Sequence, residues 1–167
     1  MPDNILEMIM NRRSVRAFTG GAVTQEQIET LLKAAMSAPS ANNRQPWRFI
    51  VVTDRMKIKE ICLAHPYARF GVDAGVVLVL FGEREGNYHF FSDMGAATEN
   101  LLLAVANTGL GATWCGMNEE RQALIKPLVG LPDNLWCYAV IPVGVPSRPV
   151  EPRTQYDPKK VWREKYS

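Results

Sequence analysis

Residues that build staples or metal cages are scarce in this chain. Its 167 residues include three cysteines, Cys62, Cys115 and Cys137, an odd number at wide spacing. That argues against a disulfide framework and for a reducing compartment. The two histidines, His65 and His89, have no CxxC or HxxxH partner, so no structural metal site is expected. Charge of one sign is lacking as well. Nineteen Lys and Arg against 17 Asp and Glu leave +2, too little for a bulk electrostatic grip on nucleic acid. Asp3 and Glu7 interrupt the apolar pattern that a signal peptide would need, and the longest apolar run, residues 74–82, is too short to cross a bilayer. The expectation is a soluble, cytoplasmic protein with neither a nucleic-acid nor a membrane partner.

What is present is ordinary for a globular chain: 47% hydrophobic and 22% charged residues. A chain of this length fits one domain, 1–167, able to bury roughly 70% of its unfolded surface. Ile5 to Met10 form a short amphipathic helix that runs into the basic stretch 11–18. Thr24-Gln25-Glu26-Gln27 reads as a capping box, followed by Ile28, Leu31, Leu32 and Ala35 at the spacing of a helix buried on one side. Pro39 closes it, and a polar loop leads to a strand at 47–52. Asp54 caps a second helix to about Ala64, with Met56, Ile58, Ile61 and Cys62 as its apolar positions.

Farther along, 75–82 and 136–141 are apolar on both alternating faces, as strands in the middle of a covered sheet should be. Residues 92–107 read as a helix apolar nearly all round, which calls for a subunit interface as part of its cover, with Gly109 as its left-handed cap. A short strand is expected at 112–114 and a helix from Asn118 to Lys126 closed by Pro127. Beyond Gly144 the prolines and basic residues of 145–167 suggest an extended arm anchored by Trp162 and Tyr166.

Two stretches could carry chemistry. Arg12, Arg13, Ser14 and Arg16 bring guanidinium forks and a hydroxyl together, either as a grip for a phosphate dianion or as a solvated basic turn. Residues 39–47 form a donor-rich loop between Pro39 and Pro46, able to meet the edge of a flat heterocycle or simply to turn the chain. Cys62 and Cys137 read as buried inert thiols, His65 as a loop residue, and Trp47, Trp114, Trp136 and Trp162 as core or interface anchors.

Taken in order, Arg-Arg-Ser-x-Arg-x-Phe at 12–18, Pro-Ser-x-x-Asn-x-Gln-Pro-Trp at 39–47, Asp93 with Ala97 and 100–104, then Gly109-Leu110-Gly111 and Trp114-Cys115-Gly116 resemble the FMN-dependent nitroreductases. The resemblance implies an α+β fold, a mixed sheet wrapped by helices in an intertwined homodimer, with FMN at the subunit interface and the 145–167 arm crossing to the partner. By the same likeness Arg12 and Ser14 hold the phosphate and ribityl chain with Arg13 adjacent, and Arg16 approaches N1 and O2 of the ring. Pro39, Ser40, Ala41 and Asn43 cover the flavin from the other subunit. The main chain of Cys115 and Gly116 faces N5 and O4, and Arg153 reaches the phosphate. Ala41 stands where many relatives have Ser, and Arg153 is not immediately before the aromatic Tyr156. The chain also lacks the long central insertion of larger relatives, leaving a pocket that is open or built from Pro66, Tyr67, Arg69 and Phe70.

The implied activity is hydride transfer from NADH or NADPH through FMN to a small-molecule electron acceptor by a ping-pong scheme. The cofactor carries the chemistry, with no side chain needed as an essential acid or base. The acceptor could be a nitroaromatic, a quinone or a conjugated carbonyl. An FMN carrier or sensor without turnover, or a specialised reaction of the same family, are the alternatives.

Overall fold

The computed structural model describes residues 5–151 and 155–166. Its frame is an antiparallel ladder of β1 (Arg48–Val52), β2 (Val76–Gly82) and β5 (Trp136–Gly144), with the short strands β3 (Gly111–Ala112) and β4 (Cys115–Gly116) on the outer side of β5. Every named strand pair is antiparallel. The parallel component is an isolated bridge between Ser14 and Ala112.

β2 is buried along its whole length because helices cover both faces of the sheet. Val76, Leu78 and Leu80 face α2 (Gln25–Met36) and α4 (Phe90–Asn107), packing with Leu31, Met94, Leu101 and Ile141. Val77 and Val79 face the other way, where Ile58, Ile61 and Cys62 of α3 (Arg55–Ala64) and Ile125 of α5 (Glu119–Val129) close the second core. The continuous apolar runs expected at 75–82 and 136–141 are thereby explained.

Local rules account for most boundaries. Thr24 caps α2 through the expected box, its hydroxyl accepting from Gln27 N while Thr24 N donates to Gln27 Oε1. Asp54 and Asn118 cap α3 and α5. Several expectations need correction. Met56 is solvent-exposed on α3 and not part of its apolar face. α4 begins at Phe90, ahead of the expected 92, and Pro127 lies inside α5, which ends two residues later before the left-handed Gly130. Within one chain α4 buries a single face, and Gly95, Ala96, Glu99, Leu103 and Ala104 are half-buried. α1 (Ile5–Asn11) has no buried residue and exposes Ile5, Leu6, Ile9 and Met10.

The strand expected at 112–114 is split in two, although β3 and β4 share one register along β5. Thr113 falls opposite Pro142, which has no N–H to return, and the remaining Thr113 N–H to Pro142 O bond is long at 3.4 Å. A β-bulge between Leu80 and Phe81 in the β2–β5 register inserts an extra residue in β5, so that Tyr138 and Ala139 both turn toward α4.

Gly82 joins the end of β2 to the polar loop: a Cβ there would collide with the Pro46 carbonyl and approach Phe90 to 3.2 Å. Gly82→Ala should therefore destabilise the protein by about 1–3 kcal/mol, as overpacking against backbone does. Urea denaturation of variant and wild type measures it, and equal midpoints would contradict the close approach.

Candidate functional site

The basic stretch is fastened to the outer edge of the sheet. Val15 N donates to Ala112 O at 2.9 Å, and the Thr113 hydroxyl donates to Val15 O at 2.7 Å. Val15 is buried, whereas Ser14 and Arg16 on either side of it are exposed. Extended backbone alternates its side chains, so pinning Val15 inward sends Ser14 and Arg16 outward together. Arg12, just after α1, forms an ion pair from Nε to Glu99 Oε1 of α4 at 3.2 Å. Arg13 turns toward a cavity of about 220 Å³ between 109–112, α4 and Pro146, and its Nε is buried without a hydrogen-bond partner.

The same edge continues to Cys115 and Gly116. Thr113 N and Met117 N donate to β5, so by the alternation of an antiparallel ladder Trp114 and Gly116 direct their backbone groups away from it. The Cys115 thiol is turned inward, its Sγ donating to Tyr67 O at 3.4 Å. Burial pushes this thiol up to about 11, against the opposing pull of the Arg16 charge, which puts the basic stretch and Cys115 within electrostatic reach of each other. Gly116 is exposed, and a Cβ added there would meet nothing nearer than Trp114 Nε1 at 4.0 Å. Packing within the chain does not require glycine here. An open backbone edge of this kind suits close approach by a ligand. Beside it lies a cavity of about 420 Å³ lined by Phe91, Trp114, Gly116, Met117 and Tyr138.

The polar loop is built on strained backbone. Asn42, Asn43 and Gln45 all have positive φ, at 53°, 54° and 47°. Non-glycine residues adopt this region only when the surroundings over-determine it. Ser40 Oγ accepts from Gln45 N at 3.0 Å, Gln45 Nε2 donates to Asn43 Oδ1 at 2.7 Å, and Ala41 N donates to the buried Asp93 Oδ1 at 3.1 Å. Pro39 and Asn43 remain exposed. Asp93 Oδ2 is buried without a partner.

Of the residues singled out from sequence, Arg12, Arg13, Ser14, Arg16, Cys115 and Gly116 thus belong to one edge. Pro39, Ser40, Ala41 and Asn43 form a separate stapled loop at the start of α4, and Arg153 lies outside the described residues. Among the described residues no His, Cys, Asp or Glu cluster could hold a metal ion, and no helix is long and apolar enough to cross a membrane.

Two residues escaped the sequence reading. His65 lies in the turn after α3, as expected of a loop residue, but it is fully buried there, its Nε2 3.2 Å from Gly116 O. Arg121 of α5 donates from NH1 to the same oxygen at 2.9 Å. His65 has no local signal because its partner lies 51 residues away, and Arg121, only five residues from Gly116, has none because that partner is a backbone atom that no residue type marks. Of the tryptophans, Trp47 is buried, whereas Trp114 is exposed on the larger cavity and Trp162 packs at a tilt against Tyr166 at the surface.

A helix-wrapped open sheet, with a basic segment and a glycine edge on one outer strand, defines an α+β protein. The chain belongs to the nitroreductase family: the family model matches residues 9–66 and 62–145. A protein of Archaeoglobus fulgidus provisionally named NADH dehydrogenase/NAD(P)H nitroreductase is 35% identical, covering 98% of this chain and 99% of its own. A Clostridium acetobutylicum structure provisionally named an NADH oxidase is 40% identical with a TM-score of 0.90, over 95% and 99% of the two chains. A Desulfovibrio desulfuricans nitroreductase structure, also provisionally named and in complex with FMN, is 30% identical with a TM-score of 0.86 over the full length of both.

The thiols allow a direct check of this geometry. Burial raises Cys62 and Cys137 to about 12 as well. A raised thiol pKa keeps the neutral form until pH nears that value, so at pH 8 only about a thousandth or less of each is thiolate. Iodoacetamide at pH 8 should leave all three unmodified in the native protein and label all three after unfolding, as read by mass spectrometry. Rapid native labelling of Cys115 would show that its thiol faces the site.

Proposed function

We propose that this chain is an NAD(P)H-dependent FMN oxidoreductase acting as a homodimer on a small electron-poor acceptor. The observation that carries this reading is the single edge on which the Ser14–Arg16 segment is hydrogen-bonded to Ala112 and Thr113, a few residues before the open backbone of Gly116. Cations, a hydroxyl and free main-chain donors in one row match a ligand with a dianionic tail and a heterocyclic edge. The donor set and the unfilled space at Gly116 fit FMN.

In this reading Arg12 and Ser14 bind the phosphate and ribityl chain, with Arg13 adjacent and Arg153 adding a further charge. Arg16 faces the N1 and O2 side of the ring, and the main chain at Gly116 faces the N5 and O4 side, whereas the backbone groups of Cys115, expected there too, are turned to β5 by the ladder. Pro39, Ser40, Ala41 and Asn43 cover the flavin of the partner subunit, held in shape by Asp93. The half-buried outer face of α4 and the exposed apolar residues of α1 support a subunit interface, and the 145–167 arm crosses to the partner. When bound, FMN supplies two-electron chemistry between NADH or NADPH and the acceptor. The protein's part is to orient the ring, to keep water from its reacting face and to stabilise the charge gained on reduction. Ping-pong turnover in one pocket follows if the aromatic walls at Phe91, Trp114 and Tyr138 admit both partners in turn.

The protein should purify yellow as a dimer with about one FMN per subunit, and NADH or NADPH should bleach it under anaerobic conditions. Colourless protein that takes up no FMN would refute the reading. A flavin reducible only by dithionite would make the protein a carrier.

The two arginines should separate. Arg12→Ala should weaken FMN binding by about 1.5–3 kcal/mol, the scale of a charge-assisted hydrogen bond. Arg16→Gln should leave oxidised FMN binding comparatively intact but lower the midpoint potential by tens of millivolts, since about 30 mV of a two-electron couple corresponds to about 1.4 kcal/mol. Fluorescence titration with FMN measures the first and redox titration the second, and an unchanged potential in Arg16→Gln would remove Arg16 from the ring.

A further inference from the structure

We propose that His65 and Arg121 are positioning residues for the flavin, clamping the Gly116 carbonyl from two sides and so holding the 116–117 peptide, and with it the backbone of Gly116, in place at the edge. The inference rests on the reading that Gly116 faces the ring. It assigns work to two residues that lie behind the edge and touch no ligand.

Gly116 is held to the sheet mainly through its neighbours, with Met117 N donating to Tyr138 O. It carries no side chain, its backbone groups point off the sheet, and β4 is only two residues long. A glycine in such a place explores many backbone angles unless something holds it. Its carbonyl is held twice, by Arg121 NH1 at 2.9 Å and His65 Nε2 at 3.2 Å. Both lone pairs of the oxygen are thereby used.

The imidazole is itself prepared for this task. Tyr67 N donates to Nδ1 at 3.2 Å, so Nδ1 is an acceptor and the single ring proton sits on Nε2, directed at Gly116 O. Burial lowers the His65 pKa, the Gly116 carbonyl opposes the shift and the Arg121 charge adds to it, keeping the ring neutral. Arg121 is steadied in turn by lying over the Tyr67 ring at 4.7 Å, while Cys115 Sγ donates to Tyr67 O. The turn after α3, the first turn of α5 and β4 therefore meet at one peptide. A leucine would fill the volume of His65, but only a donor at the Nε2 position holds Gly116.

The test compares wild type, His65→Leu, His65→Gln and Arg121→Met, each loaded with FMN. The readouts are FMN affinity, the visible spectrum of the bound flavin, its two-electron midpoint potential and the thermal midpoint. With the phosphate grip untouched, His65→Leu should keep FMN affinity within about threefold but shift the flavin absorption bands. Because O4 gains negative charge on reduction, loosening a donor there should make reduced FMN bind about tenfold less tightly relative to oxidised FMN, a fall of about 30 mV. His65→Gln, whose amide Nε2 can replace the imidazole donor, should restore spectrum and potential. Arg121→Met, on a half-exposed residue, should move both in the same direction as His65→Leu and decides the matter if His65→Leu fails to fold.

Unchanged spectrum and potential in the folded variants would overturn the clamp, as would a His65→Gln protein no better than His65→Leu. If wild type takes up no FMN, the flavin reading itself falls, and the clamp falls with it.

Discussion

Three short contacts between residues distant in sequence organise the site: Val15 N–H to Ala112 O, the Thr113 hydroxyl to Val15 O, and the Val15 side chain packed over Gly111. Any Cβ at Gly111 would sit 2.5 Å from Val15 Cγ2, so only glycine lets the basic segment lie against the edge. Once Val15 is held there, the alternation of extended backbone places Ser14 and Arg16 on the open side, and the strand carries on to Gly116. The charged and main-chain halves of the site are thus set by one register.

The sheet behind that edge contributes irregularities as well as rigidity. Pro142 deprives Thr113 of its return hydrogen bond and divides the edge into β3 and β4. The bulge in β5 turns Tyr138 toward α4, where its ring packs 6.2 Å from Phe90 and 5.5 Å from Trp114. Regular alternation would send Tyr138 and Ala139 to opposite faces, whereas the bulge brings both to the α4 side, where Tyr138 forms one wall of the larger cavity. Both features sit in the most deeply buried strand pair, whose packing on two faces can hold such departures from regular pairing.

The elements that were legible in the sequence share a cause: their signals are local. The capping box at Thr24, the Asp54 and Asn118 caps and the two apolar strands depend on residues within one turn or one strand of each other. Boundaries failed where a distant partner or a tolerated exception governed, as with Pro127 inside α5 and the Pro142 break. The site followed the same division. Arg12, Ser14, Arg16 and the loop at 39–47 stand out because their residue types crowd together. His65 read as an ordinary loop residue because its partner is a carbonyl contributed by another strand.

By itself, then, the sequence determined the kinds of elements, their order, the buried face of α2 and the residue types offered to a ligand, since each follows from spacing, capping and side-chain chemistry along a few residues. Only the tertiary structure decided that Arg16 and Gly116 share an edge, that the Cys115 thiol faces inward, and that the loop at 39–46 is latched to Asp93. It also decided that His65 and Arg121 converge on one carbonyl. Those outcomes depend on the register between strands and on which face of the sheet each helix covers, and both are chosen by the simultaneous burial of two cores rather than by any short stretch of chain.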